Sequence, residues 1–221
     1  MQNQLKTKIK EIFTSIQGEG TYIGQKHIFI RFSRCNLSCK YCDTDFKTNL
    51  KEYTADKLYD YLKNIDCDVI SLTGGEPLLE ADFLEDFLKR YKSELNKKIY
   101  LETNGTLAGE LAKIIDFVDI VAMDIKLKSA TGQENRFDEN DKFLNVATKK
   151  QAFIKVVFNG KIEDYEIEKT AEIAKKYGLE LVLQPEMPIR NNNIEKNFDK
   201  FYEKYKNVRL IPQTHKFLNI E

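Results

Sequence analysis

The chain has 221 residues, in which 35 Lys and Arg residues balance 35 Asp and Glu residues. This neutrality predicts no direct nucleic-acid partner, because bulk binding to a phosphate backbone needs a basic excess. A hydrophobic fraction of 42% can build a sizeable core, which excludes collagen-like, disordered and coiled-coil classes. No apolar run near the N-terminus has signal-peptide length, and none approaches the roughly 20 residues that span a bilayer, so we expect a cytoplasmic chain without membrane contact.

Seven short runs of β-branched and aromatic residues predict strands, and most are continuously apolar, as expected for strands buried on both faces of a parallel sheet. They span residues 28–32, 69–72, 99–102, 119–123, 153–158, 181–184 and 208–211. Between them, apolar residues at helical spacing predict amphipathic helices, the first capped by Thr54 and a later one ended by Gly178. Seven strands are too few for an eight-fold barrel. We therefore predict the α/β class and a partial, open parallel β/α barrel with a reduced number of helices.

The organisation of the chain predicts a single domain over residues 1–221, because it contains no internal repeat, low-complexity tract or Pro/Gly/Ser linker. One segment, residues 126–150, is polar, only weakly periodic and longer than an ordinary connection. It is either a lid beside the site or a surface excursion, and the residues leave both interpretations open.

Polar residues collect directly after the predicted strands, where parallel α/β sheets place their sites. These segments are residues 33–46, 73–77, 102–105, 124–126, 184–186 and 212–216. Any strand end carries turn formers such as Gly, Asn, Asp and Pro, and the ETNG sequence at 102–105 alone would indicate no more than a turn. Six such segments on one rim predict a functional site there.

Three thiols just past the first predicted strand are the strongest signal. Cys35, Cys39 and Cys42 have the spacing C-x3-C-x2-C, which is typical of iron–sulfur ligands. A structural zinc is the alternative, but neither histidine has the spacing of a zinc knuckle to these thiols. Cys67 is distant and is interpreted as an ordinary small, half-buried residue. Three ligands on a four-iron cluster leave one iron open, which indicates a catalytic centre.

These cysteines, together with TGGEP at 73–77, resemble the radical S-adenosylmethionine (SAM) superfamily. Within it, IFTSIQGEGTYIGQ at 12–25, Arg31 in the cysteine-bearing strand and QTHKFL at 213–218 resemble the 7-carboxy-7-deazaguanine synthase family of queuosine biosynthesis. The resemblance runs from about Glu11 to Phe217, nearly the whole chain.

The resemblance implies a 4Fe–4S cluster that delivers one electron to SAM, and a radical that abstracts hydrogen from 6-carboxy-5,6,7,8-tetrahydropterin. The pterin ring then contracts with loss of ammonia to give 7-carboxy-7-deazaguanine. The resemblance also implies Mg²⁺ held through Thr44, a flavodoxin- or ferredoxin-type reductant, and a homodimer. The hard chemistry belongs to the cofactors, whereas the protein binds, orients and excludes water.

The resemblance assigns two further sets of residues. The residues implied at SAM are Gly74, Gly75, Glu76, Asp124, Ile125, Lys126, Gln184, Pro185, Glu186 and Met187. Those implied at the substrate are Ile16, Gln17, Gly18, Arg31, Thr73, His215 and, through a terminal carboxylate, Glu221. The chemistry is suitable, because glycines allow close backbone approach, a glutamate accepts from the SAM ammonium, and a guanidinium binds a carboxylate bidentately.

Several alternatives remain open at this point. Many relatives carry Ser-Pro-Lys where this chain has Asp124-Ile125-Lys126, a triplet that resembles glycyl-radical activating enzymes and keeps a protein-activating radical SAM enzyme as the rival function. A second rival is a non-enzymatic iron–sulfur electron carrier or zinc module. Individually, Arg31 could form a strand-face ion pair, and His215 could be a structural hydrogen-bonding residue.

Overall fold

The computed structural model describes residues 4–42, 45–188 and 193–220. Within these ranges nine strands form one sheet in the order β3-β1-β2-β4-β5-β6-β7-β8-β9. The strands are β1 (Lys6–Ile16), β2 (Lys26–Phe32), β3 (Lys51–Thr54), β4 (Val69–Gly74), β5 (Lys98–Thr103), β6 (Ile120–Ile125), β7 (Gln151–Phe158), β8 (Leu181–Pro185) and β9 (Val208–Leu210). From β2 to β9 every neighbouring pair is parallel. The open, mostly parallel α/β sheet confirms the predicted fold class.

All seven predicted strands are present, but β1 and β3 were not predicted. Both are antiparallel additions on one side of the sheet: β1 pairs with β2 and with β3. Their residues are mostly half-buried or exposed, so charged and apolar side chains mix along them. A search for continuously apolar runs finds strands that are buried on both faces and misses strands of this kind.

Helices connect the parallel strands. They are α1 (Ala55–Leu62), α2 (Ala81–Leu95), α3 (Ala108–Ile114), α4 (Lys128–Thr131), α5 (Phe137–Ala147), α6 (Asp164–Tyr177), α7 (Ile194–Lys204) and α8 (Thr214–Leu218). The predicted ends are confirmed at two of them: the Thr54 hydroxyl accepts a hydrogen bond from the Lys57 amide, and Gly178 ends α6 at a φ of 65°. Six crossovers link the parallel strands, compared with the eight helices of a closed barrel.

The segment 126–150 is not a surface excursion, and part of it lies beside the cysteine loop, where the Thr131 carbonyl accepts from the Lys40 amide at 3.0 Å. It contains α4 and α5, and α5 buries Phe143, Leu144 and Ala147 in the main core. The segment is therefore the helical crossover between β6 and β7. Its helical pattern was weak because only one face of the 11-residue α5 is apolar and the charged residues of its first turn obscure the stripe.

The interior of the open barrel has two layers. The lower layer is apolar and consists of Val69, Tyr100, Ile120, Ala122, Phe153 and Val182. Further along the same strands, by two residues in β5 to β8 and by four in β4, and therefore on the same face, lies the upper layer. It consists of the polar residues Thr73, Glu102, Asp124, Lys155 and Gln184. The loop after β1 turns into this interior, where the Tyr22 ring packs against the rings of Tyr100 and Phe153.

No helix in the described ranges is both long enough and apolar enough to cross a membrane.

Candidate active site

A small cavity of about 100 Å³ lies between the cysteine-bearing loop and the upper layer. Its lining includes Cys35 and Cys39, the two glycines of TGGEP, and the side chains of Thr73, Glu102, Asn104, Asp124, Lys126 and Lys155. Cys42 is exposed at the edge of the described loop. The cysteine loop and three of the strand ends that were predicted to share one rim, 73–77, 102–105 and 124–126, therefore do meet.

Gly74 and Gly75 hold the cysteine loop against β4. Gly74 has a φ of 106°, a conformation that side chains rarely adopt, and a Cβ on Gly75 would collide with the Arg34 carbonyl. The Glu76 amide donates to that same carbonyl at 2.7 Å, and the Gly75 amide donates to the Phe32 carbonyl at 3.2 Å. Both glycines also line the small cavity, so their backbone is available to a ligand.

Glu76 is fully buried and bound by protein donors. Its carboxylate accepts from the Asn104 amide at 2.8 Å, the Thr103 hydroxyl at 2.9 Å and the Leu78 amide at 3.1 Å. Burial raises its pKa to about 7, although these donors oppose the shift. The carboxylate thus joins TGGEP to the ETNG turn, and its predicted contact with the SAM ammonium stays a prediction.

Lys126 links β6 to the cysteine loop. Its Nζ donates to Asp124 Oδ2 at 2.8 Å and to the Tyr41 hydroxyl at 3.0 Å, and Tyr41 lies between Cys39 and Cys42. Burial alone would lower the pKa of Lys126, but Asp124 and Tyr41 hold it well above its ordinary value. The other oxygen, Asp124 Oδ1, is buried without a hydrogen-bond partner in the described part of the chain. Ile125 between them points its side chain into the main core.

The remaining residues predicted at SAM lie at the end of β8 and directly after it. Gln184 is fully buried, and neither atom of its side-chain amide has a partner among the described residues. Pro185 ends the strand, Glu186 Oε2 accepts from Asn159 Nδ2 at 2.7 Å, and Met187 precedes a cis peptide bond to Pro188. None of these four is among the described residues that line the two cavities, so their contact with SAM stays a prediction.

The residues around the small cavity have the chemistry of an iron–sulfur site with a polar ligand beside it. Cys35 and Cys39 line it, and so does Asp124, whose buried Oδ1 has no partner among the described residues. Burial raises the pKa of both thiols, which Lys126 opposes, and iron binding requires their thiolate forms. In the described ranges no three His, Cys, Asp or Glu side chains are already grouped at metal-binding distance. The assignment of Cys35, Cys39 and Cys42 to the cluster therefore stays a prediction.

A larger cavity of about 610 Å³ adjoins the small one, and Thr73 and Glu102 line both. Its other lining residues include Glu11, Phe13, Ile16, Gln17, Gly18, Glu19, Phe29, Arg31, Gln213, His215, Lys216 and Ile220. This set contains six of the seven residues predicted at the substrate, all but Glu221. The volume suits a small-molecule ligand.

Glu102 organises the boundary between the cavities. Its two oxygens accept from Gln17 Nε2 at 2.8 Å and from the Thr73 hydroxyl at 3.0 Å. Gln17 is only 2% exposed, and its Oε1 accepts from the Glu19 amide at 3.0 Å. Gln17 and Gly18 are thus part of the cavity wall, and their contact with the substrate stays a prediction. Glu102 itself was not predicted, although it is the single acidic residue of an apolar strand.

Arg31 forms the predicted ion pair, and its contact with the substrate stays a prediction. Its Nε donates to Glu11 Oε1 at 2.6 Å, which is the strand-face ion pair, and its guanidinium lies over the Phe13 ring at 5.5 Å. Arg31 also lines the larger cavity. Because the ion pair uses one edge of the guanidinium, the opposite edge can still bind a carboxylate.

The segment 213–220 closes the larger cavity from the other end of the chain. The Thr214 amide donates to the Gly18 carbonyl at 2.9 Å, and a Cβ on Gly18 would collide with His215. Gln213 Nε2 donates to Glu19 Oε1 at 2.5 Å, and Lys155 Nζ donates to Glu19 Oε2 at 2.6 Å. Glu19 and Lys155 were not predicted. The available signal was one lysine in the otherwise apolar run of β7.

Two predicted site residues cannot be placed. Thr44, predicted at magnesium, and Glu221, predicted at the substrate, lie outside the described residues.

The architecture and the cysteine loop together define the class of protein. The radical SAM superfamily model matches residues 29–201, so the chain belongs to that superfamily, which implies a 4Fe–4S cluster and SAM. In full-length comparisons the chain is 34% identical to a 7-carboxy-7-deazaguanine synthase of Geobacter sulfurreducens, covering 96% of each. It is 36% identical to that of Archaeoglobus fulgidus, covering 98% of this chain and 100% of the relative. Within the superfamily, the chain belongs to the 7-carboxy-7-deazaguanine synthase family.

The fold agrees with this membership. The crystal structure of QueE from Escherichia coli superimposes with a TM-score of 0.66 over 95% of both chains at 20% identity.

Proposed function

We propose that this protein converts 6-carboxy-5,6,7,8-tetrahydropterin to 7-carboxy-7-deazaguanine with release of ammonia, in a radical SAM-dependent reaction of 7-deazapurine biosynthesis. The observation that carries the proposal is the junction of two cavities at Thr73 and Glu102: one beside the cysteine loop, the other large enough for a pterin. The relatives at 34% and 36% identity, named 7-carboxy-7-deazaguanine synthases, support it. They do not favour a protein-activating enzyme.

The small cavity would hold the cofactors. Cys35, Cys39 and Cys42 would ligate the cluster, and the backbone of Gly74 and Gly75 with Asp124 and Lys126 would bind SAM. The cofactors, when bound, supply one-electron reduction and abstraction of a hydrogen atom. The protein would keep competing hydrogen donors away from that step, and the floor of the cavity, where Thr103, Asn104, Asp124 and Lys155 are buried, would exclude water.

The large cavity would orient the substrate. A pterin presents amide-like edges and one carboxylate, and the cavity offers the amide of Gln17, the hydroxyl of Thr73 and the guanidinium of Arg31. Glu102 fixes two of these groups by accepting their hydrogen bonds, so they keep one orientation before substrate arrives. Lys216 and His215 add cationic and hydrogen-bonding capacity at the cavity mouth.

Further features belong to the proposal as well. Magnesium would be held through Thr44 together with substrate oxygens and water, which is how Mg²⁺ prefers to bind. The reductant would be a flavodoxin- or ferredoxin-type protein. The chain would act as a single domain in a cytoplasmic homodimer.

An anaerobic assay tests the function directly. Protein with a reconstituted cluster is incubated with SAM, reductant, Mg²⁺ and the pterin, and we expect one ammonia per 7-carboxy-7-deazaguanine. Consumption of the pterin without formation of 7-carboxy-7-deazaguanine, or formation of that product in the absence of SAM, would contradict the proposal.

The magnesium assignment has its own test. Thr44→Val should lower turnover and its magnesium dependence while leaving SAM affinity unchanged, whereas Thr14→Val, at an exposed position of β1, is the matched control. A parallel loss of SAM binding would place the ion elsewhere.

A further inference from the structure

Lys155 is a buried lysine in the interior of the barrel. It is the one charged residue of β7, and it is only 3% exposed. Its Nζ lies 2.6 Å from Glu19 Oε2, and Gln213 Nε2 donates to the other oxygen, Glu19 Oε1, at 2.5 Å. Glu19 is thus held from both sides by residues 136 and 194 positions away in the sequence.

The location of this pair is as informative as its geometry. Lys155 lines the small cavity, whereas Glu19 and Gln213 line the large one. The ion pair therefore spans the boundary between the cofactor side and the substrate side. Neither residue was needed to explain the binding groups described above.

Stability gives no sufficient reason for a lysine here. Removing two charges from water costs about as much as their attraction returns, and well-packed apolar residues often stabilise such positions at least as well. The charge of Lys155 therefore has a role other than stabilising the fold. Burial alone would raise the pKa of Glu19, but Lys155 and Gln213 lower it to about 2, so the carboxylate stays charged.

We propose that Lys155 is a positioning residue that acts through Glu19, holding this carboxylate charged and directed at the large cavity, where it faces the substrate. Because Gln213 binds the same carboxylate, Lys155 also positions the segment 213–220 that walls the cavity. The substrate named here rests on the proposed function, whereas the positioning of Glu19 does not.

The alternative role for Lys155 is direct contact with SAM, because it also lines the small cavity. The two roles differ in a measurable way. A residue that acts through Glu19 has no effect once Glu19 has lost its charge, whereas a residue that contacts SAM keeps its effect in any background.

A double-mutant cycle tests the proposal, with the variants Lys155→Met, Glu19→Gln and the two combined. We expect Lys155→Met to lower kcat/KM for the pterin about 10- to 100-fold, and to change it less than about threefold when Glu19 is already Gln. The Kd for SAM should stay within about threefold of wild type. Lys92→Met is the matched control, because Lys92 forms a half-buried ion pair with Asp119, with Nζ and Oδ2 2.7 Å apart, and neither residue lines either cavity. The activity of this variant should equal that of the wild type.

A second readout does not depend on turnover. The Thr214 amide, hydrogen-bonded to the Gly18 carbonyl, reports the closure of segment 213–220. Lys155→Met should accelerate its hydrogen exchange about tenfold, Lys92→Met should not, and the combined variant should match Glu19→Gln.

The outcomes separate the ideas. Additive losses in the cycle, or a fall in SAM affinity that persists in the Glu19→Gln background, would overturn the positioning role. If Lys155→Met does not fold, the neutral double variant compared with Glu19→Gln alone still decides the point. If the wild type turns over no pterin, the proposed function fails, and the exchange cycle at Thr214 still tests the positioning of Glu19.

Discussion

The two layers of the barrel interior are made by the same strands, two or four residues apart, and have opposite chemistry. In the lower layer, Val69, Ile120, Phe153 and Val182 fill space and exclude water, and the Tyr100 hydroxyl is its one polar side-chain group. The upper layer carries carboxylates, a lysine and an amide. Three of its buried polar atoms, on Asp124 and Gln184, have no partner in the described residues, an arrangement that costs stability unless a ligand supplies the partner. Among the described residues the lower layer has one such atom, the Tyr100 hydroxyl, so the contrast supports the proposal that one layer serves the fold and the other serves a ligand.

The largest contrast is expected between cysteines at opposite ends of the strands. Changing Cys35, Cys39 or Cys42 to Ala should abolish iron binding and SAM cleavage, because three thiolates hold the cluster. Cys67 lies at the amino end of β4, where its thiol donates to the Lys26 carbonyl at 3.1 Å, so Cys67→Ala should retain full iron content. Iron and sulfide analysis with the SAM-cleavage assay measures both. Loss of the cluster in the Cys67 variant would end the three-ligand, open-iron model.

Arg31→Lys should give the next largest effect. A lysine cannot bind Glu11 and a substrate carboxylate at once through two fixed edges, so kcat/KM should fall about 30- to 1000-fold, or about 2 to 4 kcal/mol. Cluster content should stay intact. Arg209→Lys is the control, because Arg209 is paired in register with Val182 of the lower layer and forms a comparable ion pair with Glu180 on the surface. Near-normal turnover in the Arg31 variant would remove the carboxylate clamp.

Glu76 should make the upper end sensitive to pH. Its pKa rises from an ordinary 4.5 to about 7 in the folded protein, so between these values the native state holds a proton that the unfolded chain has lost. Stability from this group is therefore complete below about pH 4.5 and is lost as pH rises toward 7. Glu76→Gln removes this titration. The unfolding free energy of the variant minus that of the wild type, measured by urea titration, should therefore increase by about 2 to 3 kcal/mol as pH rises from 5 to 8. A pH-independent difference between the two proteins would show that the buried carboxyl does not titrate in this range.

The smallest expected effects are changes in folding stability, and they should have opposite signs in the two layers. Gln184→Leu keeps the side-chain volume and removes two unpaired polar atoms, so the unliganded protein should gain about 1 kcal/mol while SAM affinity falls roughly tenfold. Val182→Thr, two residues earlier, places a hydroxyl in the apolar layer and should lose about 1 to 2 kcal/mol with SAM affinity unchanged. Thermal unfolding and equilibrium SAM binding measure the pair. Equal signs would mean that Gln184 belongs to the fold and not to the cofactor site.

Much of the fold follows from local pattern. The parallel strands are predictable because both of their faces are buried, which leaves apolar runs that need no knowledge of their neighbours. β1 and β3 lie at one side of the sheet and expose part of their length, so their polar residues hide them. α5 was missed because it is short and the charged residues of its first turn obscure its apolar stripe.

The site residues likewise fall into those that a local motif predicts and those that it does not. The cysteine spacing and TGGEP are contiguous motifs, and the comparisons confirm the family that they indicated. No local pattern predicts the roles of Glu102, Lys155 and Glu19, because these roles depend on the distant side chains that the residues contact in the folded chain. The contact between Gln213 and Glu19 joins positions 194 residues apart, and no local signal reports such a pair.

The contact between Gln213 and Glu19 also determines when the large cavity can form during synthesis of the chain. The large cavity is walled by residues 10–31 on one side and by residues 213–220 on the other, so its walls are made at opposite times during synthesis. The cysteine loop and strands β4 to β7, which surround the small cavity, are synthesised while residues 213–220 are still absent. Contacts of such long sequence separation form late in folding. A growing chain would thus gain its cofactor side before its substrate side, and no pterin could be held until the last wall is in place.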